Sequence, residues 1–208
     1  MRLHSANAGG DFTPAPAGTH LAICIRFVDL GTQETEWQGQ KKVKRQVTIG
    51  WELPEERMED GRPFTISKTY TWSMAEKASL RHDLENWRGR DFTEQDLGPD
   101  GFDTKNLLGK GCLVSIAHET KNGRTYANVK SISKMMKGMA APEAENLHVY
   151  FSLDEFNPEI YAGLSQYLRE KIAKSPEYQA VISGKPIGGS EPPPHEYAPE
   201  NGDSDIPF

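Results

Sequence analysis

Residues 63–89 read PFTISKTYTWSMAEKASLRHDLENWRG, and two periods meet inside this stretch. From Pro63 to Trp72, Phe64, Ile66, Tyr70 and Trp72 share one parity, and Thr65, Ser67, Thr69 and Thr71 share the other. That alternation is the period of a half-buried strand. Beyond Trp72 the period lengthens, with Leu80, Leu84 and Trp87 at helical spacing. Ser73-Met74-Ala75-Glu76 has the form of a capping box, in which hydroxyl and carboxylate satisfy free backbone N–H groups at a helix start. Gly89 supplies a helix stop.

Towards the N-terminus the alternation recurs twice. Leu21, Ile23, Ile25 and Phe27 alternate with His20, Ala22, Cys24 and Arg26, and this first strand is expected to stop at Asp29-Leu30-Gly31. A polar loop carrying Trp37 follows. Val43, Val47, Ile49, Trp51 and Leu53 then alternate with polar residues as a second strand, closed by a turn through Pro54 and the acids up to Asp60. Towards the C-terminus, residues 90–110 read as an irregular connection. Strands are expected over Cys112–Glu119 and Thr125–Ser133, joined by Lys121-Asn122-Gly123-Arg124. Asn-Gly is the pair that a type I′ hairpin turn selects.

Three strands, a helix and two strands in that order predict a mainly β fold. The expectation is an OB-fold: a five-stranded Greek-key barrel with a helix between strands three and four, which binds oligonucleotides around strands two and three. Outside residues 19–135, residues 1–18 read as an extended lead-in, and 136–183 as a linker, a short strand at Leu147–Phe151 and one amphipathic helix. Pro158 marks that helix's first turn, and Ile160, Leu164, Leu168 and Ile172 form a stripe that must cover the barrel or another copy. The Met135-Met136-Lys137-Gly138-Met139 segment reads as a flexible join. Residues 184–208 are rich in Pro, Gly and acids and are expected to be disordered.

The net charge of -6 is unevenly placed. Residues 1–137 hold 20 basic and 18 acidic residues, whereas residues 138–208 hold 4 and 12. An acidic tail beside a mildly basic body is compatible with a local basic surface. Cys24 and Cys112 lie in apolar runs and read as buried thiols, not zinc ligands. No signal-peptide pattern or membrane-length apolar run is evident, so a protein of the bacterial host cytoplasm is expected. No cofactor or metal is expected. The acids Glu55, Glu56, Glu59 and Asp60 crowd one turn, and no nucleophile motif or phosphate loop points to an enzyme.

Single-strand binders need cations along the phosphates and rings for the bases. Trp37, Lys41, Lys42, Lys44 and Arg45 gather before and within strand two. Lys68, Tyr70 and Trp72 lie on strand three, and Lys121 and Arg124 on the last hairpin. These are the candidate DNA contacts, expected to act with little base preference. The chain ends Asp203-Ser204-Asp205-Ile206-Pro207-Phe208. Phe208 offers a ring and a carboxylate, Pro207 stiffens the approach, and Asp203 and Asp205 suit a basic rim, so these residues with Ile206 form a candidate partner-binding tip.

This ending resembles that of bacterial single-stranded DNA-binding proteins, which carry an OB domain, a disordered linker and an acidic Asp-Ile-Pro-Phe tip. The resemblance implies recruitment of helicases, nucleases, primases or recombination mediators through the tip. Trp72-Ser73-Met74, Ser79-Leu80-Arg81, Glu85 to Thr93 and Asn106 to Lys110 resemble a family of short bacteriophage and prophage proteins found among replication and recombination functions. The chain departs from the bacterial proteins in its long 90–110 connection and in the helix after strand five. The expectation is a phage protein that coats single-stranded DNA, possible self-association included. The alternative is an adaptor whose barrel binds protein.

Overall fold

The first strand does not stop at Gly31. In the computed structural model, which describes residues 13–37, 40–99 and 101–184, β1 spans Gly18–Trp37 and β2 spans Gln40–Arg57. They pair antiparallel from Ile23–Glu52 out to Trp37–Gln40. Trp37 therefore closes a strand instead of sitting in a loop. Register shifts at Cys24/Arg26 and Asp29/Gly31 let β1 bend and continue. They also let one strand serve two cores. Ala22, Cys24 and Phe27 enter the main core, while Val28 and Leu30 enter a second. The core parity near the start of β1 is thus the Ala22/Cys24 set, although Ile23 and Ile25 are buried as well.

β3 (Pro63–Thr71) pairs with β2, β4 (Gly111–Lys121) with β1, and β5 (Arg124–Ser133) with β4, all antiparallel. The path is β3-β2-β1-β4-β5, and its end strands β3 and β5 approach within 8 Å, Cα to Cα. The short β6 (Val149–Phe151) joins β1 in parallel. The chain is mainly β with a few short helices. Among the described residues, no helix is long and apolar enough to cross a membrane. The β4–β5 turn follows the local code: Asn122 and Gly123 have φ of 53° and 75°, both positive as a type I′ turn requires.

Helix α1 (Ser79–Arg88) lies between β3 and β4 in sequence and packs on β3 and β5. It buries Leu80, Leu84 and Trp87, and Gly89 ends it in the left-handed conformation with its N–H on Glu85 O. Its start differs from the capping-box expectation. Ser73 Oγ accepts from Ala75 N, residues 75–78 make a separate turn, and the N-cap Ala78 has no side-chain bond. The chain must reverse from β3 before the helix can begin, and Met74 packs on the core within that reversal. A one-turn 3₁₀ helix, Thr104–Leu107, interrupts the following connection.

Two expected appendages are tied down. In the lead-in, Ala15 is buried, its carbonyl accepts from His118 Nε2 at 2.8 Å, and Pro16 O accepts from His20 Nε2 at 3.0 Å. In the linker, the buried Glu52 carboxylate accepts from the N–H groups of Glu145 and Asn146 at 2.9 and 2.8 Å. The single helix over 160–172 is two: α2 (Pro158–Gly163) and α3 (Gln166–Ala173), broken at Leu164 where Ser165 caps α3. α4 (Pro176–Ile182) follows. Leu164, Leu168 and Ile172 cover Val28, Leu30, Phe151 and Leu153 of the same chain, and Ile160 is exposed. The break lets three short helices wrap the second core, which one straight rod cannot do.

Candidate nucleic-acid interface

Register sorts the candidate residues onto two faces, because successive side chains of a strand point to opposite sides. On the core-facing side of β2 lie Lys41, Val43, Arg45, Val47, Ile49, Trp51 and Leu53. Opposite them on β3 are Tyr70, Lys68, Ile66 and Phe64. The other side carries Lys42, Lys44, Gln46, Thr48 and Gly50, paired across to Thr71, Thr69 and Ser67 of β3. Its neighbours on β1 are Thr35, Gln33, Val28 and Arg26.

The core-facing candidates are mostly committed to internal partners. Tyr70 is only 2% exposed, so its ring offers no stacking surface, correcting that expectation. Burial and the Asp83 carboxylate raise its pKa, and its hydroxyl donates to Asp83 Oδ2 at 2.8 Å. Lys68 donates to the same oxygen at 2.6 Å and lies over the Tyr70 ring. Arg45 donates through Nε and Nη2 to Asp29, and through Nη2 to both oxygens of Asp154. Burial opposes its charge, but Asp29 and Asp154 more than offset that and raise its pKa. Lys41 is exposed, 3.6 Å from Glu34. Lys68 and Arg45 therefore serve first as counter-ions of buried carboxylates.

The opposite side is different in charge. Lys42 and Lys44 are exposed and have no ion-pair partner among the described residues. Arg26 is half-buried, and burial alone pushes its pKa down, with no carboxylate acting on it. Gly50 leaves it room: a Cβ there would lie 3.2 Å from Arg26 Cβ. Exposed Thr65, Ser67 and Thr69 continue the strip with hydroxyls. Of the carboxylates beside it, Glu52 is occupied by backbone N–H groups and held below its usual pKa, the hydrogen bonds prevailing over burial, and Glu177, next to Gly31, is occupied by the Thr32 N–H and hydroxyl. Sequence reasoning missed Arg26, whose signal was a lone cation inside an otherwise apolar strand. Lys121 and Arg124 flank the β4–β5 turn and are exposed, with Lys121 3.0 Å from Glu119.

Trp72 lies just past β3, held by its N–H to Arg45 O at 2.7 Å, and is 42% exposed. It forms one wall of a cleft of about 180 Å³ with Phe27, Phe102 and Tyr150. Phe27 stacks on Tyr150 at 5.4 Å and meets Trp72 edge-on at 6.1 Å. Val47 and the polar residues Asp29, Arg45, Asp103, Thr104, Ser152 and Asp154 complete the lining. Phe102, Tyr150 and Asp154 come from segments distant in sequence, and periodicity has no access to that juxtaposition. The side chain of Trp37, and Asp203, Asp205, Ile206, Pro207 and Phe208, lie outside the described residues. Among the described residues there is no group of three or more His, Cys, Asp or Glu able to hold a metal ion. No protein-family model matches this chain, and no curated protein matches it.

Proposed function

We propose that this protein binds single-stranded DNA through an OB-type barrel and recruits proteins of DNA metabolism through residues 203–208. The observation that carries the reading is the strip of Arg26, Lys42, Lys44, Thr65, Ser67 and Thr69 on one side of β1–β3, beside which the carboxylates of Glu52 and Glu177 are internally bonded. Cations and hydroxyls along a sheet face suit a phosphate backbone. Support for the barrel comes from the strand path, the approach of its two ends, and the helix between strands three and four. The phage replication or recombination setting and the partner classes rest on the resemblances in sequence.

Fluorescence titration with oligo-dT and with duplex DNA at two salt concentrations tests the first half. Expected is preference for the single strand and weaker binding as salt rises, since phosphate contacts release counter-ions. Equal affinity for duplex, or no tryptophan quenching at low salt, refutes it. Deleting Ile206, Pro207 and Phe208 tests the second half: capture of enzymes that bind bacterial single-strand-protein tails should be lost with folding intact. Undiminished capture refutes it.

A further inference from the structure

We propose that the aromatic cleft at Trp72 receives one unstacked nucleobase of the bound strand and favours guanine. This rests on the single-strand reading above, and assigns base selection at one position to a site that periodicity does not reveal. The walls are four rings, of which Trp72 presents a free surface while Phe27 and Tyr150 brace each other behind it. A flat ring that stacks on Trp72 replaces water there.

The polar lining decides what ring it is. Three carboxylates, Asp29, Asp103 and Asp154, surround one cation, Arg45. That balance repels a phosphate and leaves a neutral group as the fitting occupant. Ionised carboxylates only accept hydrogen bonds. Asp29 is consumed internally by Arg45 and by the N–H groups of Gly31 and Leu153. Asp103 uses Oδ1 for the Lys105 N–H, and its Oδ2 has no partner among the described residues. Asp154 is 61% exposed, with Arg45 Nη2 between its two oxygens. Arg45 Nη1 donates to nothing among the described residues.

The lining therefore offers spare carboxylate acceptors and one spare donor. Guanine alone among the DNA bases presents two neighbouring N–H donors, N1–H and the N2 amine, beside a carbonyl acceptor on one edge. A carboxylate accepts both donors, and a guanidinium can donate to the carbonyl. Adenine and cytosine present one amine beside a ring nitrogen, and thymine one N–H between two carbonyls that carboxylates repel. The route to the cleft is open as well. β3 ends at Thr71, so β2 from Arg45 outward has no strand on that edge. Lys44, on the strip, and Arg45, in the cleft, are adjacent on opposite sides of β2. A strand following Lys44 can turn one base over this edge.

The test titrates the full chain with dT tracts of equal length carrying no substitution or one internal dG, dA or dC. Expected is binding of the dG tract on the order of 10-fold tighter than plain dT, the size of one good two-point base contact. Asp154→Asn and Asp103→Asn should each shrink the ratio of dG-tract to plain-dT affinity. Asn retains the cap at position 103. Trp72→Ala should weaken all four tracts. Equal affinity for the four tracts overturns the subsite alone, and so does a guanine preference that survives in both Asp variants. Failure to bind any tract overturns the single-strand reading and the subsite together.

Discussion

A Cβ placed on Gly31 would lie 2.5 Å from both the Cβ and the Oγ of Ser175. Gly31 has φ of 67° at the second register shift of β1, and Ser175 is the N-cap of α4. Ser175 cannot step aside, since Oγ donates to Ile172 O at 2.8 Å and accepts from Tyr178 N at 3.2 Å. Gly31→Ala should therefore destabilise by more than the ~1–2 kcal/mol that a left-handed non-glycine residue costs. Chemical denaturation checks this, and a variant as stable as the parent would refute the close approach.

The second core makes the stripe of α3 an internal matter. Leu168 is 7% exposed and Ile172 is fully buried. Leu168→Ala should cost ~2–5 kcal/mol of stability, with the mass by light scattering unchanged. A lower mass with unchanged stability would instead make this stripe a contact between copies.

Glu177 anchors α4 to β1 across the sequence. Its carboxylate accepts from the Thr32 N–H at 2.8 Å and from the Thr32 hydroxyl. Burial opposes the charge, but these bonds prevail and hold its pKa below the ordinary 4.5. A carboxyl lowered on folding stabilises at pH values above its unfolded pKa, and that contribution is lost as pH falls through the folded pKa. Glu177→Gln should therefore be less stable at pH 7 by ~1–3 kcal/mol. The gap to the parent should close progressively below pH 4.5. A gap independent of pH would mean the charge plays no part.

The two faces of β2 predict separable phenotypes. Lys42→Ala with Lys44→Ala should weaken oligo-dT binding and flatten its log–log salt dependence by about 1.4, two single-strand phosphate contacts' worth. Thermal stability should be unchanged. Lys68→Met should do the reverse, lowering stability by ~1–3 kcal/mol because Asp83 loses its cation. If Lys68→Met lowers DNA affinity as much as the double variant does, the division of the two faces is wrong.

The features written in the sequence are the ones whose physics is local. Asn122-Gly123 makes its turn because those two residues tolerate positive φ. Leu80, Leu84 and Trp87 give α1 one apolar side, and Gly89 ends it without a Cβ penalty. The alternation from Phe64 to Tyr70 places β3, and the order of strands and helix follows from such segments. The 160–172 stripe correctly marks buried positions, while its uninterrupted period conceals the break at Leu164, because the caps of short helices are set by what they wrap.

What the tertiary structure alone decided is which cations are available. Lys44 and Arg45 are neighbours of equal charge, and no composition or period separates them. Asp29 and Asp154 occupy Arg45 from 16 and 109 residues away, Asp83 claims Lys68 and Tyr70, and Arg26 and Lys44 pair with no carboxylate among the described residues. Ion pairing and burial act across space between residues distant in the chain. The extended first strand with its two register shifts, the closeness of Gly31 to Ser175 and the joining of Trp72, Phe102, Tyr150 and Asp154 in one cleft have the same origin.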